Sequence, residues 1–335
     1  MKKQLMNLMS RTNIFRVSLA LVVAVAVAGC SEKEEMSDLQ DSSKQNIVSV
    51  LTNFSEADMN QPADNDQLKK GMKAPTFNTL LAALKETGLL TTVAQNRLTL
   101  FAPSDEAFAA AGLNRFNIGT VPGLANILLY HAVAGDVFSG DLSNGFVTTL
   151  NGAAVEIKLN GGVMVNDASV IRADLTALNG VIHIIDQILF PPTKNLVELA
   201  ISLDPEFSIL VQAVVKAGFA DLLSTGGPFT VFAPTNAAFI DLLDELGPTV
   251  NSLDDIPVSL LQSVLLYHVI PGRVYSSDLA NGSVATAQGE SFTVNLSGPS
   301  ITDVNSRTAG IVGTDVQATN GVVHVINKVI LPTLP

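Results

Sequence analysis

Histidine is the side chain best suited to proton transfer and metal ligation near neutral pH, and the four in this chain fall into two matching pairs. His131 ends Leu129-Tyr130-His131, and His183 lies inside Asn179-Gly180-Val181-Ile182-His183-Ile184-Ile185. His268 ends Leu266-Tyr267-His268, and His324 lies inside Asn320-Gly321-Val322-Val323-His324-Val325-Ile326. A histidine base needs an orienting group, and Asp105 is a candidate partner for His131, but Asn236 stands at that place in the second pair. The chain contains no Gly-x-Ser-x-Gly elbow, no His-Glu-x-x-His, no phosphate-cradling glycine loop and a single cysteine. The expectation is therefore no catalytic residue, no metal and no cofactor. His183 and His324 lie among Val and Ile, which predicts a central strand with a ring nitrogen bonded to a backbone carbonyl or a nearby side chain. His131 and His268 follow an apolar helix face and are expected to fasten helix to sheet.

The elements that must position these residues also occur twice. Thr99-Leu100-Phe101-Ala102-Pro103 precedes the first pair and Thr230-Val231-Phe232-Ala233-Pro234 the second, each followed by a helix cap at Ser104 or Thr235. The offset between copies is 131 at Phe101 and Phe232, 137 at Tyr130 and Tyr267, and 141 at His183 and His324. An offset that grows in small steps describes two complete domains differing by short insertions. Leading helices are predicted around Phe77, Leu80, Leu81, Leu84 and around Phe207, Leu210, Val211, Val214, ended by Gly88 and Gly218. The last third of each copy alternates, as in Val155-Glu156-Ile157-Lys158-Leu159 and Phe292-Thr293-Val294-Asn295-Leu296, which predicts strands. Short runs at 163–165, 170–171 and 311–312 predict further strands. Asn179-Gly180 and Asn320-Gly321 are expected as two-residue hairpin turns with both residues at positive φ. Helices first and sheet after, within one unit, indicates α+β. A polar stretch from Glu56 to Pro75 has no counterpart in the second copy and reads as an inserted loop. Its Asp64-Asn65-Asp66 misses the calcium-loop pattern because Leu68 occupies the third position.

Taken in order, Thr-x-Phe-Ala-Pro with Ala-Phe, then Tyr-His, then Asn-Gly-Val-x-His-x-Ile resemble the fasciclin domain, over nearly all of residues 45 to 333. The resemblance implies a small twisted β-structure flanked by helices, in an exported protein of the cell surface or matrix that works in adhesion. In animal members the Tyr-His region is implicated in receptor binding, which makes Tyr130, His131, Tyr267 and His268 candidate partner-binding residues. Phe101, Pro103, His183, Phe232, Pro234 and His324 are then the structural motif residues.

The ends and composition set the setting. Lys2, Lys3, Arg11 and Arg16 precede the uncharged apolar run Val17 to Ala28, too short to span a bilayer, so residues 1–29 read as an export signal. The run ends in Val27-Ala28-Gly29-Cys30, which resembles a bacterial lipoprotein signal with Cys30 as the acylated residue; a signal peptide with a chance cysteine is the alternative. Residues 30–44 read as a flexible tether, 45–192 as the first domain and 193–335 as the second. The acidic Ser31-Glu32-Lys33-Glu34-Glu35 either marks an outer-membrane lipoprotein for surface exposure or is a solvated tether. The net charge is -12, and removal of the signal takes away four positive charges and no negative ones. That argues against nucleic acid as a partner. The leading expectation is a lipid-anchored adhesion protein whose partner is extracellular matrix, a cell-surface protein or polysaccharide. A polysaccharide-binding protein is the alternative, weakened by the absence of tryptophan and by only three tyrosines. A hydrolase is the third reading, and it lacks a constellation.

Overall fold

The computed structural model describes residues 45–60, 75–159, 161–248 and 250–334. The lipoprotein signal, Cys30, the tether and Asp64-Asn65-Asp66 lie outside the described residues. The first copy opens with helix α1 (Ile47–Asn60), followed by α2 (Asn78–Glu86), α3 (Leu90–Gln95), strand β1 (Leu98–Pro103), α4 (Asp105–Ala110) and α5 (Leu124–Tyr130). Strands β2 (Ala132–Ala134), β3 (Gly145–Thr148), β4 (Ala154–Lys158), β5 (Met164–Val165), β6 (Ala168–Ala177) and β7 (Gly180–Ile185) complete it. The second copy repeats this order. It runs through α6 (Leu196–Ser202), α7 (Ser208–Lys216), α8 (Ala220–Thr225), β8 (Phe229–Pro234), α9 (Asn236–Glu245), α10 (Val258–Tyr267) and β9 (Val269–Pro271). Its remaining strands are β10 (Gly282–Ala285), β11 (Ser291–Asn295), β12 (Ser300–Thr302), β13 (Thr308–Ala318) and β14 (Gly321–Ile326).

Each copy builds a seven-stranded sheet of the same connectivity, β2-β1-β7-β6-β5-β4-β3 and β9-β8-β14-β13-β12-β11-β10. The first and last strands of each copy pair in parallel and every other pair is antiparallel. In β1 and β7 every residue is buried, as expected of strands covered on both faces. The period of two turns Leu100, Ala102, Ile182 and Ile184 to the helices, while Phe101 and Ile185 face a second core with Val155, Ile157 and Val165. The second copy divides in the same way.

The expected caps are present: Ser104 Oγ accepts from Ala107 N (3.2 Å) and Thr235 Oγ1 from Ala238 N (3.3 Å). Gly88 and Gly218 follow their helices at φ +72° and +74°. Two expectations are corrected. Residues 56 to 60 of the expected inserted loop continue helix α1 to Asn60. The Asn-Gly pairs are also not turn centres. Ala177 pairs with Gly180 and Ala318 with Gly321, so the two-residue loops are Leu178-Asn179 and Thr319-Asn320, with each glycine already in its strand. Glycine is needed because a Cβ at 180 would lie 1.8 Å from the Leu98 carbonyl oxygen, and one at 321 would lie 2.4 Å from that of Phe229. The asparagines act through their side chains. Asn179 Oδ1 accepts from Ile47 N and its Nδ2 donates to Val93 O and Asn96 O, tying helix, strand end and loop together. Asn320 repeats the pattern with Leu196, Leu223 and Gly226.

Candidate functional site

The parallel pairing brings the repeated blocks together. Phe101 aligns with His183 and Phe232 with His324; the first pair of rings stacks at a centroid distance of 5.6 Å, and the second packs tilted by 33° at 5.1 Å. The backbone N–H of each phenylalanine donates to the carbonyl of the Tyr-His histidine, Phe101 to His131 and Phe232 to His268, at 2.9 Å in both copies. Three segments distant in sequence thus share one buried locus.

His131 and His268 cap helices α5 and α10. Each Nδ1–H donates to the carbonyl four residues back, Ile127 (2.8 Å) or Val264 (2.7 Å), where the helix ladder has run out. Each Nε2 accepts a backbone N–H from the segment leaving the sheet, Leu189 (2.9 Å) or Ile330 (3.2 Å). His183 and His324 hold the opposite tautomer. Nε2–H donates to the Val137 or Val274 carbonyl (2.8 and 2.9 Å), and Nδ1 accepts from Asp174 N or Asp315 N (3.3 and 3.4 Å). All four side chains are at most 3% exposed. Burial pulls the pKa of His131 and His268 down to about 4 and lowers those of His183 and His324. Each ring is neutral at pH 7 with both nitrogens bonded to backbone, which leaves no lone pair for a metal or a base.

Sequence reasoning passed over the carboxylates that complete this array. Asp174 and Asp315 sit at φ 62° and 63° where β6 and β13 bulge. Asp174 accepts from Ser139 N (2.8 Å) and Ser139 Oγ, and Asp315 from Ser276 N (2.7 Å) and Ser276 Oγ. Ser, Asp and His therefore occur together twice, but not as a nucleophile and base, because each histidine receives the aspartate's backbone N–H rather than its carboxylate. Asp105, the candidate orienter of His131, instead caps the start of α2. It accepts from Thr76 Oγ1 (2.6 Å), Asn78 N (3.1 Å) and Thr79 N (2.8 Å). Burial works to raise its pKa, and these hydrogen bonds outweigh burial and hold it below the usual carboxylate range. Asn236 does the same work for α7, accepting from Ile209 N (2.9 Å) and donating to Pro205 O and Ser208 Oγ. Among the described residues, no cluster of three or more His, Cys, Asp or Glu could hold a metal ion. Among them also, no helix is long and apolar enough to cross a membrane.

The four candidate partner-binding residues face inward. Tyr130 and Tyr267 are 2% and 0% exposed, and their hydroxyls donate to Ala154 O (2.8 Å) and Ser291 O (2.9 Å). Their side chains offer no outer surface, because hydroxyl and rings are spent on joining helix to sheet. The Ala154 carbonyl leads to a feature that single-copy motifs do not contain, a junction between the copies. Gln317 of the second copy lays its amide along Ala154, donating Nε2–H to its carbonyl (2.8 Å) and accepting from its N–H (3.1 Å). The Tyr275 hydroxyl accepts from the same N–H (3.2 Å) and donates to Gln317 Oε1 (2.9 Å), while its ring stacks on Phe146 at 4.2 Å and 12°. Tyr130 and Tyr275 therefore meet through one alanine. The aligned residues in the first copy, Phe138 and Thr176, lack the hydroxyl and the amide. A sequence signal for the junction exists in those two differences.

Comparison with known proteins supplies an independent view. The family model described as Fasciclin domain matches residues 75–191 and again 205–332. Transforming growth factor-beta-induced protein ig-h3 of Oryctolagus cuniculus is 33% identical over 244 residues, 70% of this chain and 35% of that protein. Protein sll1483 of Synechocystis is 38% identical over 151 residues, 45% of this chain and 81% of that protein. The chain thus spans about a third of the length of the animal relative. Among solved structures, the FAS1 domain pair of the insect cell adhesion molecule Fasciclin I is matched at a TM-score of 0.36 and 22% identity. That match covers 76% of this chain and 92% of that one.

Proposed function

The chain belongs to the fasciclin-domain family, and from that premise we propose that it is an exported adhesion protein, held to a bacterial envelope membrane by lipid on Cys30. In this reading the second copy makes the contact, while the first copy and the tether act as a spacer. The observation that carries the reading is the use made of the repeated polar side chains. Histidines, tyrosines, Asp105 and Asn236 are all engaged in holding the fold, so the sites that look chemical in sequence support a scaffold rather than turnover. Contact with a partner then falls to outward side chains. In the second copy these include Ile240 on α9 and Val258 at the start of α10, both large apolar residues left exposed beside the loop that joins the two helices. The acidic charge of the chain discourages non-specific attachment to anionic surfaces and leaves short-range fit to choose the partner.

The test compares attachment and aggregation of cells carrying the full protein, an Ile240→Lys/Val258→Lys variant, a Phe116→Lys variant and an empty anchor. Loss of attachment in the first variant alone supports the reading. Loss only with Phe116→Lys, at the 83% exposed aromatic of the first copy, moves the contact to that copy. No difference among all four removes adhesion. Labelled palmitate should enter the wild type and not Cys30→Ser.

A further inference from the structure

The second copy contains a cavity of about 210 Å³ between α6, α7, α8 and the sheet. Its lining is apolar apart from His268, whose two ring nitrogens are already bonded to backbone. The site therefore offers no hydrogen-bond partner and no charge to a ligand. It crosses three adjacent strands, touching Val323 on β14, Val231 on β8 and Val269 on β9, and continues to Ala287. Strands lie ~4.8 Å apart, so the cavity extends over at least roughly 10 Å. A volume of about 210 Å³ spread over that length is a narrow slot.

Comparison of the copies shows why the space is there. Asn46 and Asn195 occupy the same place, each accepting from the backbone N–H three residues on, and Ile47 and Leu196 both lie against the strand glycine. From that register, Ala200 stands where the first copy has Leu51, and Leu203 where it has Phe54. In the first copy Phe54 packs edge-on against Phe77. On the following helix Val211 and Val214 replace Leu81 and Leu84. Three positions across the slot change the other way, Phe219, Leu223 and Phe229 for Leu89, Val93 and Leu98, so the unfilled wall is the one made by α6 and α7. The mouth changes as well. Val215 and Leu222 line the cavity and are 62% and 44% exposed, where the first copy has Lys85 and Thr92. Truncated side chains behind an apolar rim are what an entering apolar group requires, and an apolar cavity of ~150 Å³ is already enough to stay dry and hold benzene.

We propose that the second copy binds a single unbranched hydrocarbon chain, such as that of a fatty acid or an acyl lipid. The chain passes between Val215 and Leu222 and lies along the slot over Val231. With no cation and no donor inside, the polar end stays at the mouth. Recognition is then by length and width rather than by headgroup. This site is separate from the adhesive surface, and either can fail alone.

The experiment uses the full chain, cis-parinaric acid as fluorescent probe and saturated fatty acids of graded length as competitors. One saturable site per chain is expected. Affinity should rise about four-fold per added methylene and level off when the slot is full. Ala200→Leu/Leu203→Phe, which restores the first copy's residues, should weaken binding at least ten-fold while raising or preserving Tm. Val215→Lys/Leu222→Thr changes only exposed positions and should weaken binding while leaving the fold intact. Phosphatidylcholine vesicles separate the sources: depletion of the probe-binding capacity by vesicles alone identifies an acyl lipid, and retained capacity identifies a free fatty acid. Absence of saturable binding, affinity independent of chain length, or binding unchanged in both variants would overturn the proposal.

Discussion

The two copies spend their histidines identically and their neighbouring side chains differently. In both, Tyr-His joins a helix end to the segment leaving the sheet, and the strand histidine holds a bulged aspartate. Around that shared frame the first copy fills its helical wall with Leu51 and Phe54 and caps α2 with the carboxylate of Asp105. The second leaves a slot at Ala200 and Leu203 and caps α7 with the amide of Asn236. The difference teaches that the repeated residues specify the fold, while ligand and partner choice is free to diverge at positions where the copies disagree.

The sharpest way to break the equivalence is at the strand glycines. Gly180→Ala should cost more than about 4 kcal/mol, because the new Cβ meets a backbone carbonyl that cannot move without separating β1 from β7. Gly321→Ala, with a longer approach, should cost less, and denaturant midpoints of the two variants give the order. Equal effects would mean that both strand pairs relax alike.

Acid probes what the copies share. His131 and His268 have a folded pKa of about 4 against 6.5 unfolded. The unfolded chain therefore takes up the protons first. Their stabilisation is complete above pH 6.5 and is lost as pH falls from there toward 4, by about 3 kcal/mol for each histidine. Unfolding followed by pH should show a shallower slope in His131→Phe than in the wild type, with the remainder carried by His268 and by the two strand histidines, whose pKa burial also lowers. An unchanged slope in that variant would show that this ring does not titrate with folding.

The junction is expected to contribute less. A double-mutant cycle on Phe146→Ala and Tyr275→Ala should give a coupling of about 1 kcal/mol, and Tyr275→Ala should split a single thermal transition into two. Smallest is Asp105→Asn, which makes the first copy resemble the second. Its carboxylate is partly exposed, so solvent screening leaves a loss of about 0.5 kcal/mol at neutral pH. Because the folded pKa of Asp105 lies below its ordinary value, its contribution is present above that value and disappears as pH falls through the folded one. The variant should therefore lose stability at pH 7, and the loss should shrink as pH falls below the ordinary carboxylate range.

Much of this architecture is legible in the sequence, since alternation, caps and the helix-ending glycines all report local backbone preference. The positions of His183 and His324 on a central strand follow from their Val and Ile neighbours. What the residues did not disclose depends on partners far along the chain. Asn179-Gly180 looks like a turn centre, but it is the passing Leu98 carbonyl that demands glycine. β6 reads as a short run because the bulge at Asp174 interrupts the alternation that would mark its full length. Asp105 looks like an orienter of His131 only until the start of α2 is brought against it. The junction was hidden because Ala154 makes its hydrogen bonds through the backbone and adds only a small apolar contact to the cluster with Tyr275 and Val322, and its recognisable half, Tyr275 and Gln317, stands out only when the copies are laid over each other.

One ring stack and a few hydrogen bonds from Tyr275 and Gln317 are a slight contact, and between separate molecules they would be open most of the time. Here the stretch from Asp186 to Asn195 joins the partners, and Leu189 within it is pinned by His131. A short covalent connection raises the local concentration of one face near the other to the millimolar range. The clasp can therefore be individually weak and still remain closed, and a small change in either face would be enough to release it.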